Sequence, residues 1–144
     1  MSVERRLAYR GTMFRIAFAR DRDGAYPAME FFDQLSIADK LKLDQLFRIL
    51  GDHGKHTNPE KFGDLGDGLY EFKSFKIRLP FAYAGYERGL ILITHGFWKK
   101  RDKAPPPEIA RARRILLEDA EASENAKDSK VFVITDQKTK RKRT

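Results

Sequence analysis

The sequence predicts an α+β fold, an antiparallel meander sheet with two N-terminal helices packed on one face and a C-terminal helix. Three observations carry that expectation. Helix-period apolar stripes occupy residues 27–50, strand-period runs follow one another between 69 and 95, and a proline-led, arginine-rich helical stretch begins at 105. The 144 residues suit one domain, and 41% apolar content with eleven Phe supplies enough hydrophobic surface to offset chain entropy.

Residues 1–12 are basic and end in Gly11-Thr12, which reads either as an arm outside the core or as an extension ahead of a second start at Met13. The domain then spans 13–122. Residues 13–19 predict a first strand with Phe14, Ile16 and Phe18 on one face, closed by Arg20 to Gly24. Pro27 suits the first turn of a short helix carrying Phe31, Phe32 and Leu35. Ser36 caps a second helix with Asp39 in its first turn, and Leu43, Leu46, Phe47 and Leu50 repeat at buried-face spacing until Gly51 or Gly54 ends it. Residues 51–68, rich in Gly, Asp, Asn and Pro, predict a long loop.

Residues 69–73, 76–83 and 90–95 are then apolar or alternating runs joined by short turns, the pattern of a meander. Pro80 has no N–H to give to a ladder, so a bulge or an unpaired position is expected there. After Pro105-Pro106-Pro107 a helix buries Ile109, Ala112 and Leu116 and frays near Ala122. Residues 123–144 form a basic C-terminal extension, partly disordered, in which 131–134 is short enough to add an edge strand and Lys138 to Arg143 is a charge run.

The formal charge is +8 and the pI about 9.8, the balance of a chain that meets polyanions. Between residues 99 and 114 seven Lys or Arg oppose two acids, which favours nucleic-acid contact over plain solubility. Without cysteine there is no disulfide scaffold, no thiolate zinc site and no thiol nucleophile. No apolar run approaches the roughly 20 residues that cross a bilayer, so a soluble, cytoplasmic protein with no membrane partner is expected. His53 and His56 are spaced H-x-x-H without a third ligand placed by spacing, and residues 63–68 lack the Lys-Ser/Thr of a phosphate loop. We expect no metal and no cofactor.

A two-residue turn at Ser74-Phe75 would set Lys73 opposite Lys76 and Glu71 opposite Arg78. A four-residue loop from Gly85 to Arg88 would then set Arg78 opposite His95. In that register Glu71, Arg78 and His95 form an exposed polar row beside Lys99 and Lys100, while Tyr70, Phe72, Ile77, Leu79, Phe81, Tyr83, Leu90 and Leu92 form the core face. The row also has a plain structural reading, a cross-strand ion pair and a strand-end histidine bonded to backbone.

The run Gly68-Leu69-Tyr70-Glu71-Phe72-Lys73, the strand Ile77-Arg78-Leu79, the stretch Thr94-His95-Gly96-Phe97-Trp98-Lys99-Lys100 and the following Lys103-Ala104-Pro105 and Glu108-Ile109-Ala110-Arg111-Ala112 resemble the HigB-like, phage-derived branch of the RelE/ParE toxin superfamily. With Glu30 to Leu35 upstream, the resemblance covers about residues 13–120. It implies a small RelE-like α+β toxin of a type II toxin-antitoxin system, with mRNA and the ribosome as targets and a cognate helix-turn-helix antitoxin as partner. Pro80 and the C-terminal extension depart from the family pattern.

RNA is cut without metal when its own 2′-OH attacks the neighbouring phosphate, which requires a base, an acid and cations around the developing charge. Arg78, Lys99 and Lys100 are the candidates to stabilise the phosphate, and Glu71 or His95 to orient groups or exchange protons; the neighbouring Arg78 should push the His95 pKa down. Tyr83 or Tyr86 would stack a base or donate a proton. Lys73, Lys76, Arg101, Lys103, Arg111, Arg113 and Arg114 complete the expected nucleic-acid contacts. Two other readings remain, a ParE-like gyrase poison that uses the fold as a binding module and an inactive phage-derived RNA-binding protein.

Overall fold

The computed structural model describes residues 5–100 and 104–134, with side chains as far as residue 124. In chain order the elements are β1 (Arg6–Arg10), β2 (Arg15–Phe18), α1 (Pro27–Asp33), α2 (Ile37–His53), β3 (Phe62–Gly66), β4 (Leu69–Ser74), β5 (Ile77–Tyr83), β6 (Leu90–Ile93), β7 (Phe97–Trp98) and α3 (Pro106–Ile134). The open sheet runs β1-β2-β6-β5-β4-β3, and β7 pairs with β5. Strands β3 to β6 form the meander. Every pairing is antiparallel except β2 with β6, which is parallel and departs from the all-antiparallel expectation.

Local chemistry sets the helix ends. Pro27 opens α1, the Ser36 hydroxyl accepts from the Asp39 N–H at 3.1 Å to cap α2, and Gly54 ends α2 with a left-handed φ of 68°. The inward stripe of α2, Leu43, Leu46, Phe47 and Leu50, clusters with Ala28 of α1 and with Ile16, Phe18, Phe72, Ile77, Leu79, Phe81, Ile91 and Ile93. Leu90 and Leu92 belong to a different cluster, with Ala17, Ala19 and Ile115 of α3, and Leu69 and Ala82 meet Ala112.

This corrects the expected face of β6. The β5–β6 register pairs Phe81 with Ile93 and Tyr83 with Ile91, one residue away from the expectation, so Leu90 and Leu92 point toward α3. The β4–β5 register is also displaced, with Ser74 opposite Ile77 and Glu71 opposite Pro80, because the turn residues are Phe75 and Lys76. That displacement is two residues along one strand and therefore keeps every side chain on its face. Pro80 accepts from the Thr94 N–H at 2.9 Å and returns no donor, at the point where β6 ends and the chain crosses Thr94 to Gly96 before β7 resumes along β5.

Three segments depart from expectation. The loop of residues 51–68 contains β3, whose register puts Gly63 against Glu71. Helix α3 continues through residue 134, where fraying and then an edge strand were expected; the Glu, Ala and Lys content of 118–130 favours helix. Residues 6–10 are not an arm. They form β1 against β2, and Arg5 is built into the interior, its Nη1 donating to both Asp119 carboxylate oxygens at 2.9 and 2.8 Å. Asp119 also accepts from the Tyr86 hydroxyl at 2.5 Å and from the Arg20 N–H at 2.8 Å, while Arg5 reaches Ser123 at 3.0 Å. The charge run at 138–143 lies outside the described residues.

Asp119 is 1% exposed, so Asp119→Ala strands the Arg5 guanidinium without its main partner. Breaking a buried pair from one side costs about 3–5 kcal/mol, and urea unfolding of Asp119→Ala should show a loss of that order. A loss under about 1 kcal/mol, the scale of a surface pair, would mean the N-terminal segment is dispensable to the fold.

Candidate functional site

The α3-facing side of β4 and β5 carries Glu71, Lys73, Arg78 and Pro80 among the small and apolar residues that receive α3. Glu71 and Arg78 are each 7% exposed, so the expected exposed row is instead an enclosed pair. They sit diagonally across the ladder, with Arg78 Nε 4.0 Å from Glu71 Oε2. The Arg78 Nη1 donates to the carbonyls of Phe75 and Ile77 at 2.8 and 2.9 Å. Glu71 Oε1 is buried and has no hydrogen-bond partner among the described residues. Burial raises the Glu71 pKa above its usual value, with Arg78, then Lys73 and Lys99, pulling the other way. Gly63 makes room for this carboxylate, since a Cβ there would lie 2.8 Å from Glu71 Oε2.

His95 does not face Arg78, whose β7 partner is Phe97. The imidazole is fully enclosed, stacked on Phe97 with ring centroids 5.6 Å apart. Its Nε2 lies 2.9 Å from Glu108 Oε1 in the first turn of α3, and its Nδ1 lies 3.0 Å from the Thr94 hydroxyl. A neutral ring with the proton on Nε2 satisfies both contacts, Nε2–H donating to Glu108 and the Thr94 hydroxyl donating to Nδ1. Its pKa is lowered, as expected, but the main cause is burial, with the charges of Arg111 and Arg114 adding and Glu108 opposing. Arg78 is not among those causes. Glu108 and Thr94 are the partners the sequence reading missed; the acidic residue in the first turn after Pro105-Pro106-Pro107 was the available signal.

The other candidates divide by position. Lys73 stands opposite Arg78 and donates from Nζ to the Pro59 carbonyl at 2.7 Å. Lys76 is exposed in the hairpin turn, the Lys99 N–H donates to its carbonyl at 2.6 Å, and Lys100 is exposed. Glu71, Lys73, Arg78 and Lys99 are thereby brought together. Arg111 and Arg114 are exposed on α3, the latter 3.5 Å from Glu118, and Arg113 donates to the Gly66 carbonyl at 2.9 Å. Tyr83 lies on the opposite face, edge-on to Phe14 at 5.3 Å and 6.1 Å from His56. Tyr86 belongs to the Asp119 cluster, where burial, then the hydrogen bond to Asp119, hold its phenol protonated well beyond the usual range. Neither tyrosine joins the Glu71–Arg78 pair. Arg101 and Lys103 lie outside the described residues.

Two outcomes follow. Arg78→Ala should lower folding stability by about 3 kcal/mol, because it leaves Glu71 buried without its cation, whereas Glu71→Gln, which removes the charge in place, should cost much less. Comparable melting temperatures for Arg78→Ala and wild type would show that the guanidinium carries no structural load. For His95 the sign is set by a depressed folded pKa: the unfolded ring takes up a proton first on acidification, so its stability contribution is complete above about pH 6.5 and is lost as pH falls toward the folded value. His95→Asn should remove that part of the pH dependence, measured as the difference in unfolding free energy between pH 7.5 and 5 in the two proteins.

A family model described as Phage derived protein Gp49-like (DUF891) matches residues 30–116. That span begins in α1, takes in the whole meander and ends in α3 after Glu108 and Arg111, so it contains each residue of the enclosed polar assembly. No curated protein sequence matches the chain significantly. With more than half of its length matched and the α+β architecture in place around that span, the chain belongs to the Gp49-like family of phage-derived proteins, which is grouped with the RelE-like toxins.

Proposed function

We propose that this protein is the toxin of a type II toxin-antitoxin system and acts as a metal-independent endoribonuclease on mRNA at the ribosome, with its antitoxin as protein partner. The observation that carries this reading is the Glu71 carboxylate, one oxygen of which has no hydrogen-bond partner among the described residues although Arg78, Lys73 and Lys99 all lie close enough to act on its charge. A group that serves only as an ion-pair partner gains nothing from an orphaned oxygen, which costs free energy in a buried setting. A carboxylate with a raised pKa and a free lone pair is suited to take the proton of a ribose 2′-OH. In that step the 2′-oxygen bonds to phosphorus, the bond to the 5′-oxygen breaks, and the leaving oxygen takes a proton from solvent water. Lys99 and Lys100 supply positive charge for the phosphorane, and Arg78 holds Glu71 and the hairpin turn rather than reaching outward. His95, bonded at both nitrogens, positions α3 through Glu108.

A specific observation favours the second reading, a ParE-like gyrase poison. Glu71, Arg78 and His95 are all enclosed, and a nuclease requires the surrounding side chains to admit a phosphate to them. A binding module has no such requirement.

The two readings separate in one experiment. Expression without antitoxin should arrest growth, and protein stripped of metal by chelation and then desalted should cleave mRNA on translating ribosomes, with Glu71→Gln losing about 100-fold or more in rate while staying folded at the assay temperature. The rate should rise with pH through the Glu71 pKa, above the usual 4.5, because the base works ionised. Growth arrest with intact mRNA and accumulating DNA breaks would establish the gyrase reading in its place.

A further inference from the structure

At the tip of the β4–β5 hairpin, Phe75 has a φ of 55°, in the left-handed region. Side chains rarely sit there, since the Cβ crowds the neighbouring carbonyl, and a bulky residue at such a position is a true outlier that glycine would relieve. Burial does not compensate, because Phe75 is 81% exposed. The turn is held from inside by the enclosed Arg78, whose Nη1 grips the carbonyls of Phe75 and Ile77. Backbone strain that is held in place while a large ring faces solvent marks a position kept for contact.

A second exposed ring lies in the adjoining strand. Trp98 pairs in register with Ile77, is 50% exposed, and leans on Phe31 with ring centroids 5.9 Å apart. Gly96 permits that support, since a Cβ there would fall 2.2 Å from the Phe31 ring. The hydrogen bond from Lys99 N–H to the Lys76 carbonyl ties the two segments together, which puts Lys76, Lys99 and Lys100 on the same corner. Residues 73–78 and 96–100 contain no acidic residue, and their sequences read Lys-Ser-Phe-Lys-Ile-Arg and Gly-Phe-Trp-Lys-Lys.

We infer that Phe75 and Trp98 are stacking platforms for the bases of a single-stranded RNA whose phosphates follow Lys76, Lys99 and Lys100, a deepening that rests on the RNA-directed reading above. Exposed rings interleaved with cations match a strand that offers base faces and phosphates together. A duplex hides its base faces, and an apolar protein surface would meet the rings but leave the lysines unmatched. The strain at Phe75 then has a use, since it aims the ring away from the sheet.

Trp98 is the single tryptophan of the chain and reports directly on its own surroundings. The full-length protein is titrated with an unstructured 2′-O-methyl oligonucleotide, which lacks the attacking hydroxyl, so binding is read whether or not the protein cleaves. Saturable quenching of Trp98 fluorescence that weakens with salt is expected. Phe75→Gly should weaken binding about tenfold while melting at the same temperature or higher, because glycine accepts the left-handed backbone. Trp98→Ala, followed by anisotropy of a labelled strand, should weaken binding to a similar degree. Wild-type affinity in folded Phe75→Gly, or binding without quenching, overturns the inference, as would shielding of Trp98 by an antitoxin protein but by no oligonucleotide. Binding that depends on Phe75 with no cleavage of ordinary RNA would sustain the platform and sink the nuclease; cleavage that ignores Phe75→Gly would do the reverse.

Discussion

Burial of strand β5 on both faces constrains nearly everything else in this molecule. Leu79 and Phe81 face the α2 stripe, and Arg78, Pro80 and Ala82 face the α3 side, so all of Ile77 to Ala82 is enclosed. An arginine in such a strand must find its partners inside. It finds the carbonyls of Phe75 and Ile77 and one oxygen of Glu71, and that choice leaves the other Glu71 oxygen without a donor among the described residues. The low polarity around the pair strengthens its attraction and at the same time penalises the orphaned oxygen. Hairpin geometry, the raised carboxyl pKa and the exposed Phe75 therefore share one cause.

Among the described residues, two buried polar fastenings hold helix α3 at either end of an apolar strip, and Arg113 adds an exposed bond to the Gly66 carbonyl of β3. Near its start Glu108 accepts from His95, and further along Asp119 gathers Arg5, Tyr86 and the Arg20 N–H. Between these, Ala112 and Ile115 pack on Ala17, Ala19, Leu69, Leu90 and Leu92, where small side chains let helix and sheet approach closely. The first fastening joins the helix to the end of β6, one step from the Phe97 to Lys100 segment. Moving α3 would thus disturb His95 and β7 together, which couples the helix to the cation-rich corner.

Membership in the Gp49-like family covers the meander and the start of α3, the part of the chain that holds Glu71, Arg78, His95 and Glu108. β1 and Arg5 precede the matched span, yet they complete the Asp119 cluster. Strand β1 pairs with β2 of the same sheet, so the N-terminal strand and the matched span share one sheet. Among the described residues no helix is long and apolar enough to cross a membrane.

Much of this was legible in the residues themselves. Ser36, Gly54 and the Leu43-Leu46-Phe47-Leu50 stripe define α2 because caps and helical periodicity are local properties. The strands of the meander follow from alternation in the same way. Register did not follow: sliding the β4–β5 pair by two residues leaves every side chain on its face, so alternation could not separate Glu71 opposite Arg78 from Glu71 opposite Pro80. In Leu90 to Ile93 all four residues are apolar, so the pattern gave no face at all, and only the arrival of α3 assigned Leu90 and Leu92 to it. The basic residues 5–10 and the glycine-rich 62–66 carry weak strand signals, and they became strands because sheet edges were there to pair with. Composition thus determined that the chain is basic and cysteine-free, and local periodicity that it is α+β. Whether Arg78 and His95 face water or lie enclosed depended on contacts between segments distant in sequence, which no local pattern encodes.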